Sequence, residues 1–167
     1  MDKNMPITAA AALAVVALVA IAWYAWFGGK PTPVKLERRA LTAETEAERQ
    51  AAASELAGMG RLACEHLQRT YRQSTSPKVR ATSVLGLGAQ RDYDSIGLLF
   101  EAAQDESPEV RRAAGVAIQK MIGADMGFRA NDPPGKRAAI LQGMRKAYDE
   151  MESSGMLDEW RQRVSRD

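Results

Sequence analysis

Cys64 and His66 are the only cysteine and the only histidine in the 167-residue chain. Two residues apart on a helix they point to different sides, and no second residue of either type exists to complete a metal site with them. A hydrolytic triad would have to use His66 as its base, yet no Gly-x-Ser-x-Gly elbow presents a nucleophile. Gly86-Leu87-Gly88 lacks the third glycine of a dinucleotide loop and belongs to no strand-turn-helix unit, so it reads as a helix end. Asp125, Asn131 and Asp132 lack the alternate spacing of a calcium loop and read as a surface loop. No catalytic, cofactor-binding or metal-ligating residue is therefore expected, and no small-molecule substrate is inferred. A single cysteine also excludes a small scaffold stapled by internal disulfides.

Charge narrows the partner class. With 23 basic and 21 acidic residues the net charge is +2, a balance that argues against a dedicated binder of nucleic acid. Arg61, Arg69, Arg72, Lys78, Arg80, Arg91, Arg111, Arg112 and Lys120 would draw an anionic partner if they lined one face. Glu65, Asp92, Asp94, Glu101, Asp105, Glu106 and Glu109 are interleaved with them and weaken that field.

The elements that must position these residues fall into two unlike parts. From Ile7 to Phe27 there is no charge, and only Thr8 is polar. At 1.5 Å per residue a helix of this length rises roughly 31 Å, the thickness of a bilayer's hydrocarbon core. Trp23, Tyr24 and Trp26 cluster at one end, where amphipathic rings prefer the headgroup level, with Lys30 just beyond. The expectation is a single-pass transmembrane helix over 7–27 after a tail over 1–6, placing the protein in the cell membrane. A cleaved signal peptide is the rival, since Ala20-Ile21-Ala22 fits the small-x-small rule. Lys3 precedes the span while Lys30, Lys35, Arg38 and Arg39 follow it, which places the C-terminal domain in the cytoplasm by the positive-inside rule. Pro31 and Pro33 read as a stiff spacer within a linker over 28–41.

Beyond the linker, 3.6-residue apolar patterns recur and no strand-like alternation competes with them. Thr45-Glu46-Ala47-Glu48 is a capping box opening an N-terminal cap helix within 42–60. Helical stretches follow over 61–72, 78–87, 95–103 and from Ser107-Pro108 to Met121 or Ile122. Asp132-Pro133 reads as an N-cap with proline at the first helical position, opening a helix to Met151, and a short last helix follows Gly155; cap helices thus occupy 123–167.

An internal repeat is the most informative feature. Ser76-Pro77-Lys78-Val79-Arg80 returns as Ser107-Pro108-Glu109-Val110-Arg111, and each run precedes a helix rich in small residues. The interval, roughly 30 residues, falls in the range that marks a stacked helical solenoid. Projected back one period, Cys64 falls opposite Ser95 and Leu67 opposite Leu98, so 61–72 reads as the second helix of an earlier, degenerate repeat. Small residues at Ala81, Ser83, Ala113 and Ala114 let helices approach, while Val79, Val84, Leu85, Leu98, Leu99, Val110, Val116 and Ile118 supply the apolar face.

These residues resemble the HEAT-repeat family, whose pattern is Ser-Pro-x-Val-Arg-x-x-Ala-Ala, a turn, then a leucine-rich second helix ending in Asp before the next Ser-Pro. Ser107 to Ala114 with Asp105 is similar to it throughout, and Ser76 to Ser83 less so; the likeness covers about residues 60–122, with the HEAT-like repeats over 61–122. Gly127-Phe128, Pro133-Pro134, Arg137 and Ile140 also resemble tails that follow the last repeat in some bacterial members. The resemblance implies an all-α, short HEAT-like solenoid. It implies as well a structural ladder in which an Asp of one repeat bonds an Arg of its neighbour, here Arg80, Asp105 and Arg111, with Ser74 standing where an earlier Asp would be. It points to a non-catalytic adaptor, anchored in the membrane through Ile7 to Phe27 and binding an unidentified protein. Leu67, Tyr71, Ile96, Leu99 and Phe100 are the candidate partner face. Some members of this architecture act on bilins or damaged bases, and a purely structural anchor is a further alternative.

Overall fold

Three hydroxyl residues set the frame of the fold. Thr45, Ser76 and Ser107 recur at one constant interval, and each holds extended backbone at the start of a helix. Their side chains accept the backbone N–H groups of Glu48, Val79 and Glu109, satisfying donors that a helix's first turn leaves unpaired. The computed structural model describes residues 15, 16, 19 and 31–164. The three helices so capped are α2 (Glu46–Ala57), α4 (Pro77–Ala89) and α6 (Pro108–Ile122). Each is paired with a following helix: α3 (Cys64–Gln73), α5 (Ile96–Ala102) and α7 (Pro134–Ser153). Short 3-10 turns at Gly60–Ala63 and Tyr93–Ser95 lead into α3 and α5. The set is bracketed by α1 (Pro33–Thr42) and α8 (Met156–Val164).

The chain divides into two units, Met1–Thr32 and Pro33–Asp167. In the first, Val15, Val16 and Val19 are helical and exposed; the rest of the expected span from Ile7 to Phe27, the tail before it and Ala20-Ile21-Ala22 lie outside the described residues. Among the described residues, no helix is long and apolar enough to cross a membrane.

Within the second unit, α2, α4 and α6 form one layer, with α4 packed against both neighbours. Ser76, at the start of α4, donates its hydroxyl proton to Glu46 in the first turn of α2. At the other end, a Cβ on Gly86 would stand 2.8 Å from the Cβ of Ala57. First helices of successive repeats therefore run the same way, and glycine is needed where their backbones meet. α6 closes on Gly123, whose φ of 80° suits a residue with no Cβ and whose N–H caps Gln119 O. Leu56, Leu67, Val79, Val84, Leu87, Leu99, Val110 and Ile118 form a continuous core with no exposed surface.

Several expectations are corrected. The stretch 28–41 is not a spacer throughout: from Pro33 it is helical, because proline is tolerated in a helix's first turn and because Leu36 and Ala40, four residues apart, are buried on one face. Asp132 is not the cap of α7; Pro133 holds that position, and the Asp132 carbonyl instead accepts Arg137 Nη1 at 2.6 Å. The helix runs to Ser153, two residues past Met151. Leu85 and Val116 do not join the apolar face: they are 45% and 50% exposed.

Candidate interaction site

The most regular polar feature sits at the turns between repeats. Arg49, Arg80 and Arg111 recur at the same interval as the capping hydroxyls, each in the first turns of a layer helix, and each turns Nη1 back onto the two carbonyls that precede its own helix. Arg49 donates to Ala43 O at 2.8 Å and Glu44 O at 3.3 Å. Arg80 donates to Ser74 O and Thr75 O, both at 3.3 Å, and Arg111 to Asp105 O and Glu106 O, both at 2.8 Å. The three guanidinium groups thus hold equivalent turns in the same shape. Arg49 lies outside the motif that marks the other two, although one repeat interval back from Arg80 finds it.

The outward bonds differ from rung to rung. Arg80 reaches the next repeat's turn with a two-pronged bond to Asp105, Nε to Oδ2 at 3.1 Å and Nη2 to Oδ1 at 2.9 Å. Asp105 Oδ1 also accepts the Ser107 N–H at 2.8 Å. The Asp105 hydrogen bond raises the Arg80 pKa above its usual value despite partial burial. Arg111 has no carboxylate opposite it and donates Nε to Ala130 O at 2.9 Å. In the first repeat Ser74 replaces the aspartate, and its Oγ accepts the Ser76 N–H at 3.2 Å. Arg49 is neutralised on its own helix by Glu46 at 2.8 Å.

The chain's two unusual side chains part company, as their spacing requires. Cys64 is buried, and burial, with help from Asp92, pushes its thiol up to about 11; it stays protonated and unreactive near neutrality. His66 faces Glu37 of α1, with Nδ1 in hydrogen-bond contact with the carboxylate. Arg69, one turn along, donates Nε and Nη2 to the same carboxylate at 2.9 and 3.1 Å, and its Nη2 lies 2.8 Å from His66 Nδ1. Burial pushes the Glu37 carboxyl up, but the bonds from Arg69 and His66 outweigh it and hold the pKa below its usual value. The cluster pins α1 to α3.

The expected partner face is not a surface. Leu67 and Leu99 are fully buried, Tyr71 and Phe100 nearly so, and Ile96 is half-buried against the core. An apolar side of a seven- or ten-residue helix is the side that packs on the layer beneath, so these residues turn inward. Burial pushes the Tyr71 hydroxyl up to about 12, with Asp105 and Glu101 adding to it. Only the ring of Phe100 meets the edge of a cleft, where Arg145 stands 4.6 Å above its centre.

Exposed apolar side chains lie on the layer of first helices at Leu85 and Val116, and outside that layer at Val34, Leu62 and Met156. Leu85 and Val116 occupy the same position in successive repeats. Val116 borders a 310 Å³ groove between α6 and the 128–131 loop, floored by Gly115 and Phe128 and flanked by Arg112 and Arg129. Among the described residues, no group of three or more potential ligands is placed to hold a metal ion.

The repeat geometry agrees with comparison to known families. Residues 64–126 match the family described as HEAT repeats. No curated protein and no solved structure matches the chain. The match spans α3, the whole of the α4–α5 repeat and α6, the elements joined by the Arg80–Asp105 rung. Over these elements the chain is similar to HEAT repeats.

Proposed function

We propose that the protein is a membrane-anchored interaction module, held in the bilayer by residues 7–27, that works by binding another protein and not by catalysis. HEAT repeats serve generally as protein-interaction scaffolds. The observation that carries the reading is the contrast between the two kinds of repeated position. The repeated arginines are consumed in holding turns, whereas the repeated apolar residues Leu85 and Val116 are left facing solvent. Apolar side chains kept exposed at matching places in a stack are the raw material of an elongated binding face.

The anchor rests on the uncharged run from Ile7 to Phe27 and its aromatic end. Orientation rests on Lys30, Lys35, Arg38 and Arg39, which favour a cytoplasmic repeat domain. Two measurements test the reading on the full-length protein. Carbonate washing of membranes is expected to leave it in the pellet; release into the wash removes the anchor. Extraction in mild detergent followed by crosslinking is expected to recover a stoichiometric protein partner that Val116→Asp weakens. Turnover of a substrate by the purified protein alone, with no partner retained, overturns the adaptor reading.

A further inference from the structure

We infer that the groove beside α6 is a docking site for an acidic peptide segment with an apolar anchor, a carboxylate standing two residues to either side of an aliphatic or aromatic side chain. The inference deepens the interaction-module reading and rests on it.

Arg112, Val116 and Lys120 are spaced four residues apart on α6, so they lie in one row, and all three are exposed. The row reads cation, apolar, cation. Arg112 makes no hydrogen bond or ion pair with any described residue, so its charge is uncommitted. Across the groove Arg129 donates Nη1 to Phe128 O at 2.9 Å and meets Asp125 only through exposed 3.4 Å contacts. The other arginines of the first turns, Arg80 and Arg111, are fully engaged.

The floor between these charges is built, not incidental. A Cβ on Gly115 would lie 2.5 Å from Phe128 Cδ1, so the glycine exists to let that ring lie against the helix. Phe128 is itself buried. The result is an apolar floor with guanidinium groups on both banks.

Spacing then sets the ligand. Four residues of helix advance about 6 Å, the distance covered by roughly two residues of an extended chain. A peptide that seats one apolar side chain beside Val116 therefore brings carboxylates two residues away within reach of Arg112 and Lys120. Glu109 and Asp125 border the basic row and break it, which suits a short acidic motif better than a continuous polyphosphate backbone.

The test is a selection of phage-displayed random dodecapeptides on the full-length protein in detergent, followed by fluorescence titration of the enriched peptides. The expected peptides carry Asp or Glu two residues from Leu, Ile, Met or Phe. Arg112→Glu and Val116→Asp should each weaken their binding by about tenfold or more, raised salt should weaken it further, and Arg145→Glu, in the other cleft, should leave it within about twofold. Arg129→Ala, in the loop, keeps the experiment readable if a helix variant melts early. Peptides that ignore Arg112→Glu and Val116→Asp place the site elsewhere, which overturns this inference while leaving the interaction module intact. Enrichment of basic peptides, displacement by a single-stranded oligonucleotide, or self-association that Val116→Asp abolishes also overturns it. Failure of both the selection and the partner recovery removes the module reading as well.

Discussion

Gly88 of α4 lies so close to Ala117 of α6 that a Cβ on the glycine would stand 2.5 Å from the alanine Cβ and 2.7 Å from its Cα. Two successive repeats meet there almost backbone to backbone. An added methyl group has no flexible neighbour to push aside, so the helices themselves must separate. Gly88→Ala should therefore destabilise the domain by about 1–3 kcal/mol, the usual cost of overpacking. Gly97, in α5, has nothing within 4 Å of the same added atom. Gly97→Ala should stabilise it by about 0.5–1 kcal/mol, because alanine has the higher helix propensity. Thermal melts of the two variants moving in the same direction would contradict this account.

The Arg80–Asp105 pair should behave unlike a surface ion pair. Its side chains are 11% and 9% exposed and meet in a two-pronged bond that also organises the Ser107 N–H. Removing Arg80 leaves the shielded Asp105 carboxylate without its cation, at a cost of about 3 kcal/mol; removing Asp105 costs less, because Arg80 Nη2 keeps a contact with the exposed Glu106 at 3.3 Å. A double-mutant cycle of Arg80→Ala with Asp105→Ala should show coupling above the roughly 1 kcal/mol ceiling of exposed pairs. The same cycle on Arg129 and Asp125, 60% and 58% exposed, should give close to none. Equal coupling in the two cycles removes the ladder's role in stability.

The Glu37 cluster predicts an acid limb. Its carboxyl titrates below the ordinary value of 4.5, so its contribution is fully present above that pH and is lost as pH falls through the lower folded value. Glu37→Gln should cost about 1–3 kcal/mol near neutrality and progressively less as acid protonates the wild-type carboxylate. His66 Nδ1 stands between Arg69 Nη2, which only donates, and Glu37, which accepts. A neutral imidazole cannot serve both through one nitrogen, so the bond to Glu37 needs the proton on Nδ1. Proton-decoupled nitrogen spectra of His66 that show Nδ1 unprotonated at all pH values would leave Arg69 as the carboxylate's only donor.

What is legible in the sequence follows from which signals are local. Ser76-Pro77 and Ser107-Pro108 announce helix starts because a hydroxyl cap and a proline at the first position act within one turn. Thr45 announces its helix through the capping box but lacks the proline, which hides its place in the repeat and with it Arg49, although both sit on the same spacing. α1 is hidden for the opposite reason: Pro31 and Pro33 suggest a spacer, and the helix is held by tertiary packing of Leu36 and Ala40. The partner face is misplaced by sequence reasoning because polarity marks an apolar side without saying whether it is covered. Leu67, Tyr71, Leu99 and Phe100 form the covered side of short helices. Leu85 and Val116, one period apart, resemble core by residue type alone, yet the exposed pair is visible as a repeat.

Tyr93 offers the last test, because its hydroxyl is the kind of group that folded chains seldom tolerate. The residue is 3% exposed, and its OH has no hydrogen-bond partner among the described residues. Burial alone pushes its pKa up, ahead of the smaller opposing pull of Arg91 and Arg161. The ring is useful: it lies 6.4 Å from that of Trp160 and joins α8 to the domain. The backbone carbonyl is useful as well, accepting the Tyr148 hydroxyl at 3.4 Å. Tyr93→Phe keeps the ring and the carbonyl and deletes only the buried, unbonded oxygen. It should therefore leave stability unchanged or raise it by about 1 kcal/mol, the desolvation cost of an unsatisfied hydroxyl. Tyr148→Phe removes a donor and should lower stability by about 0.5–1 kcal/mol. A Tyr93→Phe protein less stable than Tyr148→Phe would show that the Tyr93 hydroxyl has a partner after all, and the end of α8 would be the place to seek it.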